Sequence, residues 1–271
     1  MQYLSFDFEI KNSGESEQLV ALLSDLGFEG FEETDTYLHA FIQQEKFSDT
    51  DFAGVIQLFE TVAYTAATIE NTNWNQQWEE SFEPVVVNDF VAIRAHFHQS
   101  IKQVKYEIII TPKMSFGTGH HATTHLVIER MSSIDFEGKQ VLDFGTGTGI
   151  LAILAEKLGA AAVLAVDNDE WSINNATENI IQNSCTNVVI EQHNSIPVVR
   201  KYDVILANIN LNVITANLDA IKLVASPGCQ IIFSGFLKSD ERTMKENVAA
   251  RGLQYVSTHQ NGNWITMEVI K

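Results

Sequence analysis

The chain has 271 residues, 45% of them hydrophobic, and carries 35 acids against 17 bases for a formal net charge of −18. That length supports one large domain or two smaller ones around a proper core, while the charge argues against a nucleic-acid ligand gripped through its phosphates, which needs basic surface. The apolar runs are too short to span a bilayer, Met1-Gln2-Tyr3-Leu4-Ser5-Phe6-Asp7 does not read as a secretory signal, and two distant cysteines, Cys185 and Cys229, read as reduced thiols of a cytoplasmic protein.

The acidity is uneven. Residues 1–72 hold 14 acids against Lys11 and Lys46, a net of −12. Such a surface attracts a basic partner, such as a lysine-rich protein. The same stretch reads as a compact α+β unit. Tyr3 to Ile10 alternates like a strand. Ser16 to Leu26 is helical, with Leu19, Leu22, Leu23 and Leu26 on one face, and Gly27 stops it. Phe28 to Glu33 and Tyr37 to Gln43 form a hairpin around Thr34-Asp35-Thr36. A helix follows over Asp49 to Val62 and a strand over Tyr64 to Glu70. The order βαββαβ is the ferredoxin-like split motif. It lacks the aromatic signature of an RNA-binding module, so a protein-docking role fits better. The expected domain spans residues 1–70.

Residues 71–84 read as a helical linker. Trp74, Trp78 and Phe82 recur every four positions as a stripe on one face, and Pro84 ends it. Two strand-like runs come next, Val85 to Ala95 and Tyr106 to Ile110. From residue 113 strands and helices alternate. Strands are expected at Gln140 to Phe144, Ala162 to Val166, Val188 to Glu191, Tyr202 to Ala207 and Gln230 to Ser234. Helices are expected at Ile150 to Leu158, Glu170 to Gln182, Leu211 to Val224 and Ser239 to Ala250. Leu253 to His259 and Trp264 to Ile270 close the chain as a hairpin turning at Asn261-Gly262-Asn263. The fold class is α/β: a second domain, 85–271, built on a seven-stranded, mostly parallel Rossmann-like sheet with helices on both faces.

Four places carry chemistry. The first is Val141-Leu142-Asp143-Phe144-Gly145-Thr146-Gly147-Thr148-Gly149-Ile150, a buried strand entering a glycine-rich turn and then a helix. A dinucleotide fingerprint puts Gly or Ala at the sixth position of G-x-G-x-x-G; here position 150 is Ile. The turn therefore points to a nucleoside ligand without a pyrophosphate, and in such a sheet the usual one is S-adenosylmethionine. Gly145 and Gly147 permit a close approach that a side chain would block, with helix amides aimed at the same point. The second place is Asp167, at the tip of the next strand, positioned to accept hydrogen bonds from ribose hydroxyls. Asp169 reads as a helix cap. The third is Ala207-Asn208-Ile209-Asn210. The Asn208 side-chain carbonyl and the loop backbone around Ile209 together can hold an amine with its lone pair aimed at a methyl group. Asn210 reads as another cap. The fourth is Met114 to Thr124, whose hydroxyls and amides can close over a cofactor carboxylate. His120 and His121 in it lack a third ligand at a recognisable spacing, so no metal is expected. His193 and Asn194 are weaker candidates for facing an adenine edge.

These motifs resemble those of the ribosomal protein L11 methyltransferase family over nearly the whole chain. Phe116-Gly117-Thr118-Gly119-His120-His121-Ala122-Thr123-Thr124 is similar to the family's F-G-T-G-x-H-x-T-T. Asp143 to Gly149 is similar to D-x-G-x-G-[ST]-G, and Ala207-Asn208-Ile209 to A-N-I-L. The resemblance implies a small substrate-gripping domain and an S-adenosylmethionine-dependent catalytic domain. It places Phe116, Thr118, Thr124, Gly145, Gly147, Asp167 and Asn208 at the cofactor, with Asn208 and Ile209 facing the amine. It implies methylation of lysine ε-amines and of the N-terminal α-amine of ribosomal protein L11, the basic partner, in the cytoplasm and with no nucleic acid or membrane involved. The residues alone also admit a class I methyltransferase of another protein, a nucleic acid or a small molecule, or a non-enzymatic nucleoside-binding protein. The N-P-P-Y loop of glutamine- and adenine-methylating enzymes is absent.

Overall fold

The computed structural model describes residues 3–34, 36–59, 62–69, 82–112, 119–198 and 200–271. The chain forms two compact units, Met1–Gln77 and Trp78–Lys271.

The first unit contains β1 (Tyr3–Glu9), α1 (Ser13–Asp25), β2 (Gly30–Glu33), β3 (Tyr37–Gln43), α2 (Asp49–Ile56) and β4 (Tyr64–Ile69). Asn12 starts α1 by accepting the Glu15 amide at 3.0 Å, one of the donors a helix leaves free at its first turn. Gly27 ends it at φ +90°. The sheet order is β2-β3-β1-β4 with every neighbour antiparallel, which is the split βαβ pairing of a ferredoxin-like fold. Leu19 and Leu23 are fully buried, each worth roughly 2 kcal/mol of transfer free energy, and Leu22 and Leu26 are half-buried beside them. They pack with a cluster of rings in which Phe6 and Phe52 lie 4.7 Å apart. The second helix stops at Ile56, short of the expected Val62. The Leu58 and Phe59 amides turn back onto the Val55 and Ile56 carbonyls, at 3.0 Å each, and break the α-helical ladder.

The second unit begins with β5 (Val85–Val87), β6 (Val91–Ala95) and β7 (Tyr106–Ile110), followed by α3 (Ala122–Met131). The single run expected from Val85 to Ala95 is two antiparallel strands. The chain turns at Asn88, whose φ of +53° asparagine tolerates better than most residues. Alternation then continues as β8 (Gln140–Phe144), α4 (Ile150–Lys157), β9 (Ala162–Asp167), α5 (Glu170–Gln182), β10 (Val188–Gln192) and β11 (Tyr202–Asn208). It ends with α6 (Leu211–Val224), β12 (Ala225–Leu237), α7 (Glu241–Ala250), β13 (Gln254–Asn261) and β14 (Trp264–Ile270). Seven strands pair in the order β10-β9-β8-β11-β12-β14-β13. Neighbours from β10 to β12 are parallel, and β14 lies antiparallel between β12 and β13. One face of this sheet is covered by the apolar side of α4 with Ile180 of α5, the other by Ile214 and Leu218 of α6 with Met244 and Val248 of α7.

A row of asparagines on α5 joins this sheet to the smaller one. Asn175 and Asn179 are wholly buried. The Asn179 amide donates to the Thr148 carbonyl at 2.8 Å and to Asn175 Oδ1 at 2.9 Å, and its oxygen accepts the Thr111 amide at 2.8 Å. Asn183 takes both backbone groups of Ile109, at 3.0 and 2.6 Å. Trp74 and Trp78 of the expected linker stripe lie outside the described residues. Phe82 is buried in the core of the second unit, its ring edge-on to His120. Cys229 is buried and Cys185 half-buried, both as free thiols pushed up by burial, to about 12 and about 11. Among the described residues no helix is long and apolar enough to cross a membrane.

Candidate active site

In an open α/β sheet the ligand crevice lies outside the carboxyl ends of the strands, where strand order reverses. Here that point falls between β8 and β11, and the chemistry-bearing residues gather around it. The turn after β8 is pinned from β9: the Gly145 and Thr146 amides both donate to the Val166 carbonyl, at 2.8 and 3.0 Å. Gly145 has φ +78°, and a Cβ there would drive into the Ile209 side chain. The glycine thus makes room for the loop after β11. The Gly147 amide donates to Asp167 Oδ2 at 2.9 Å. Asp167 Oδ1 accepts the Asp169 amide at 3.1 Å. Each carboxylate oxygen keeps a further lone pair for a hydroxyl donor. Asp169 caps α5 on Ser172 and Asn210 caps α6 on Val213.

The amide side of the site is built by β11 and α3. Asn208 Nδ2 donates to Thr124 Oγ1 at 3.2 Å, which turns Asn208 Oδ1 the other way. That oxygen is buried and has no hydrogen-bond partner. A buried acceptor left unpaired costs about 1–3 kcal/mol, a debt that a bound N–H donor removes. Gly235, at the end of β12, holds the next peptide: its φ is +92°, and a Cβ there would strike the Ile209 carbonyl. The Ile209 amide donates to the Ser234 carbonyl at 3.1 Å, so Gly145 and Gly235 bracket residue 209. Gly235 had no signal in the sequence beyond being a glycine just after the strand expected at Gln230 to Ser234. Gly235→Ala is expected to lower kcat about tenfold or more by displacing the Ile209 carbonyl, at nearly unchanged affinity for the methyl donor. Steady-state kinetics beside calorimetry checks it, and equal losses in both would point to general disorder of the crevice.

His121 caps α3, its Nδ1 accepting the Thr123 amide at 3.3 Å, and stacks edge-on against Trp264. His120 faces Phe82 instead, and among the described residues no group of three potential ligands could hold a metal. The His193 amide donates to the Asp167 carbonyl at 2.9 Å, which sets residue 193 beside the acid. Phe116 and Thr118 lie outside the described residues.

One charged group was not singled out from the sequence. Asp143, at the foot of the glycine turn, is fully buried, with Oδ1 unpaired and Oδ2 accepting the Thr146 hydroxyl at 2.6 Å. Burial, reinforced by the Asp167 carboxylate, pushes its carboxyl up to about 7, against the Thr146 hydroxyl and the Ala152 amide. Between an ordinary carboxyl value near ~4 and about 7, the folded protein holds a proton that the unfolded chain has lost. Stability therefore falls as pH rises through that window. Asp143→Asn keeps an acceptor for Thr146 and abolishes this loss. Its melting temperature is expected to pull ahead of the parent's between about pH 4 and about pH 7, where the folded and unfolded carboxyls differ in protonation. A gap constant across that range in thermal melts would count against the buried acid.

A parallel sheet with one antiparallel strand in sixth place, a glycine turn after its first strand and an acid at the tip of its second define a class I S-adenosylmethionine-dependent methyltransferase. The residues present fit that ligand: an acid with lone pairs to spare, a turn that passes close beneath the crevice, and an orphaned acceptor. A family model described as ribosomal protein L11 methyltransferase (PrmA) matches residues 9–271. A ribosomal protein L11 methyltransferase of Phocaeicola vulgatus is 36% identical across the whole of this chain and 99% of its own. Its counterpart in Chlorobaculum tepidum is 36% identical over 97% of this chain and 95% of its own. The crystal structure of a ribosomal protein L11 methylase from Lactobacillus delbrueckii subsp. bulgaricus is similar at 27% identity and a TM-score of 0.65, covering 69% of this chain and 98% of that one. The chain belongs to the ribosomal protein L11 methyltransferase family.

Proposed function

We propose that the protein methylates ribosomal protein L11 on lysine ε-amines and on the N-terminal α-amine, in the cytoplasm. The observation that carries the chemistry is the buried, unpartnered Oδ1 of Asn208 at the mouth of a nucleoside crevice. The substrate reading is supported by membership of the family and by an acidic first unit that suits a basic partner. Residues 1–70 then serve substrate recognition, 71–84 link, and 85–271 carry the chemistry, with no direct role for nucleic acid or membrane.

When bound, S-adenosylmethionine supplies a methyl group on a sulfonium cation, an electrophile that needs no acid catalyst. Asp167 would hold its ribose, the turn at Gly145 and Gly147 would pass beneath it, and Phe116, Thr118 and Thr124 would border its other end. Asn208 and the Ile209 peptide orient the amine. A free lysine has a pKa of about 10.4, and the attacking amine must be neutral. An amide oxygen accepts an N–H without the charge that would hold the ammonium form, and desolvation in the crevice favours the uncharged form further. The loop from Asn208 to Asn210 contains no carboxylate base, so the proton leaves to water, and orientation and desolvation lower the barrier. Thr124 positions Asn208 by fixing which end of its amide faces the crevice.

The test is to incubate the purified protein with unmethylated ribosomal proteins and isotopically labelled methyl donor, then weigh each protein by mass spectrometry. Label confined to L11 supports the reading. Label on a different protein, or none, overturns it.

A further inference from the structure

The small unit contains a cavity of about 160 Å³ between the end of α1 and the start of α2. Phe28 and Phe52, both buried, line it on the inside with Phe47, whose ring lies 5.4 Å from that of Phe52. Exposed Asp25 and Asp51 line it toward solvent. Its one cation, Lys46, lies 3.3 Å from Glu29 and is thereby matched. A cavity of roughly this size accepts a benzene-sized group.

Asp25 is the unusual member. It is the last residue of α1, a helix with no basic residue in its last turn. An acid there opposes the helix dipole and destabilises the helix. Its carboxylate makes no ion pair or hydrogen bond among the described residues, and Lys46, which lines the same cavity, is taken by Glu29. A carboxylate held against the dipole, lining one cavity with aromatic rings, in a unit of net charge −12 suits a cation brought from outside.

We propose that this cavity seats a lysine side chain of the basic protein substrate, distinct from the amine being methylated. The methylene stem packs on the Phe47 and Phe52 rings, and the ammonium lies between Asp25 and Asp51, with the ring faces adding cation–π attraction. An acidic side chain is excluded by charge. This rests on the substrate reading above and names the place on the small unit where that substrate is held.

The experiment compares the parent with Asp25→Asn, Asp51→Asn and the double variant in the full-length protein. Calorimetric titration of unmethylated ribosomal protein L11 gives affinity, and steady-state assays give kcat and KM. The double variant is expected to bind L11 about tenfold more weakly, the effect of losing two partly exposed ion pairs. KM rises in step, while kcat at saturation and affinity for the methyl donor stay at the parent's level. Asp25→Asn is expected to melt at the same temperature or higher, a readout that a structural role would move the other way. L11 affinity within about twofold of the parent's in the double variant, or a fall in kcat at constant KM, would overturn the pocket while leaving L11 as substrate. A parent protein that neither binds nor methylates L11 overturns both.

Discussion

Replacing Asn208 with alanine is expected to slow turnover about 10²- to 10³-fold, the usual cost of removing one preorganised polar group at a reacting centre. Affinity for S-adenosylmethionine should stay within about threefold. The separation follows from where the two ends of the amide go. Nδ2 is spent on Thr124 at 3.2 Å, inside the fold, whereas Oδ1 is buried without a partner, the acceptor proposed above for the substrate's N–H. Alanine loses the bond to Thr124 but also the unpaired oxygen, whose burial costs about 1–3 kcal/mol, so the free protein should be no less stable while the rate falls. Asn208→Asp separates geometry from charge. A carboxylate retains an acceptor but stabilises the ammonium form of the amine, so its rate should fall at neutral pH and recover partly as pH rises. Single-turnover kinetics with calorimetry decides the matter; parallel loss of rate and donor affinity in Asn208→Ala would move Asn208 from the amine to the donor.

The second large effect is on binding. Asp167→Ala is expected to weaken S-adenosylmethionine about 100-fold, because two charge-assisted hydrogen bonds, each worth about 1.5–3 kcal/mol, are removed and offset in part by water. Turnover at saturating donor should change much less. The same substitution frees the Gly147 amide, now 2.9 Å from Oδ2, so the glycine turn loosens as well. Asp167→Asn keeps an acceptor for that amide and loses the charge, and should fall between parent and alanine. Titration calorimetry gives the three affinities, and an unchanged value for Asp167→Ala would end the ribose assignment.

Much of this crevice was legible because buried parallel strands read as continuous apolar runs. Gln140–Phe144 stands at the expected bounds, as do Glu170–Gln182, Leu211–Val224 and Trp264–Ile270. Helix caps were equally clear at Asp169 and Asn210, whose side chains accept the amides three residues on. What the sequence hid is contact between distant segments. Gly235 and Ile209 press together only because β11 and β12 are neighbours. The orphaned Oδ1 of Asn208 depends on Thr124, 84 positions away. Asp143 looked like part of a motif, and its burial beneath the turn is a property of packing. Local signals were also overridden: Asn88 splits a valine-rich run at φ +53°, and α2 stops at Ile56, where the Leu58 and Phe59 amides turn back on the Val55 and Ile56 carbonyls.

The asparagines of α5 also bear on how the molecule behaves in concentrated solution. A strand at the border of a sheet is a template on which other chains add. Beyond Ile109 of β7 that template is closed by the amide of Asn183, which fills a donor and an acceptor at once. Apolar residues in place of Asn183 would strip this cover and leave a bare backbone ledge, so such variants would gain a route to self-association that has nothing to do with methyl transfer.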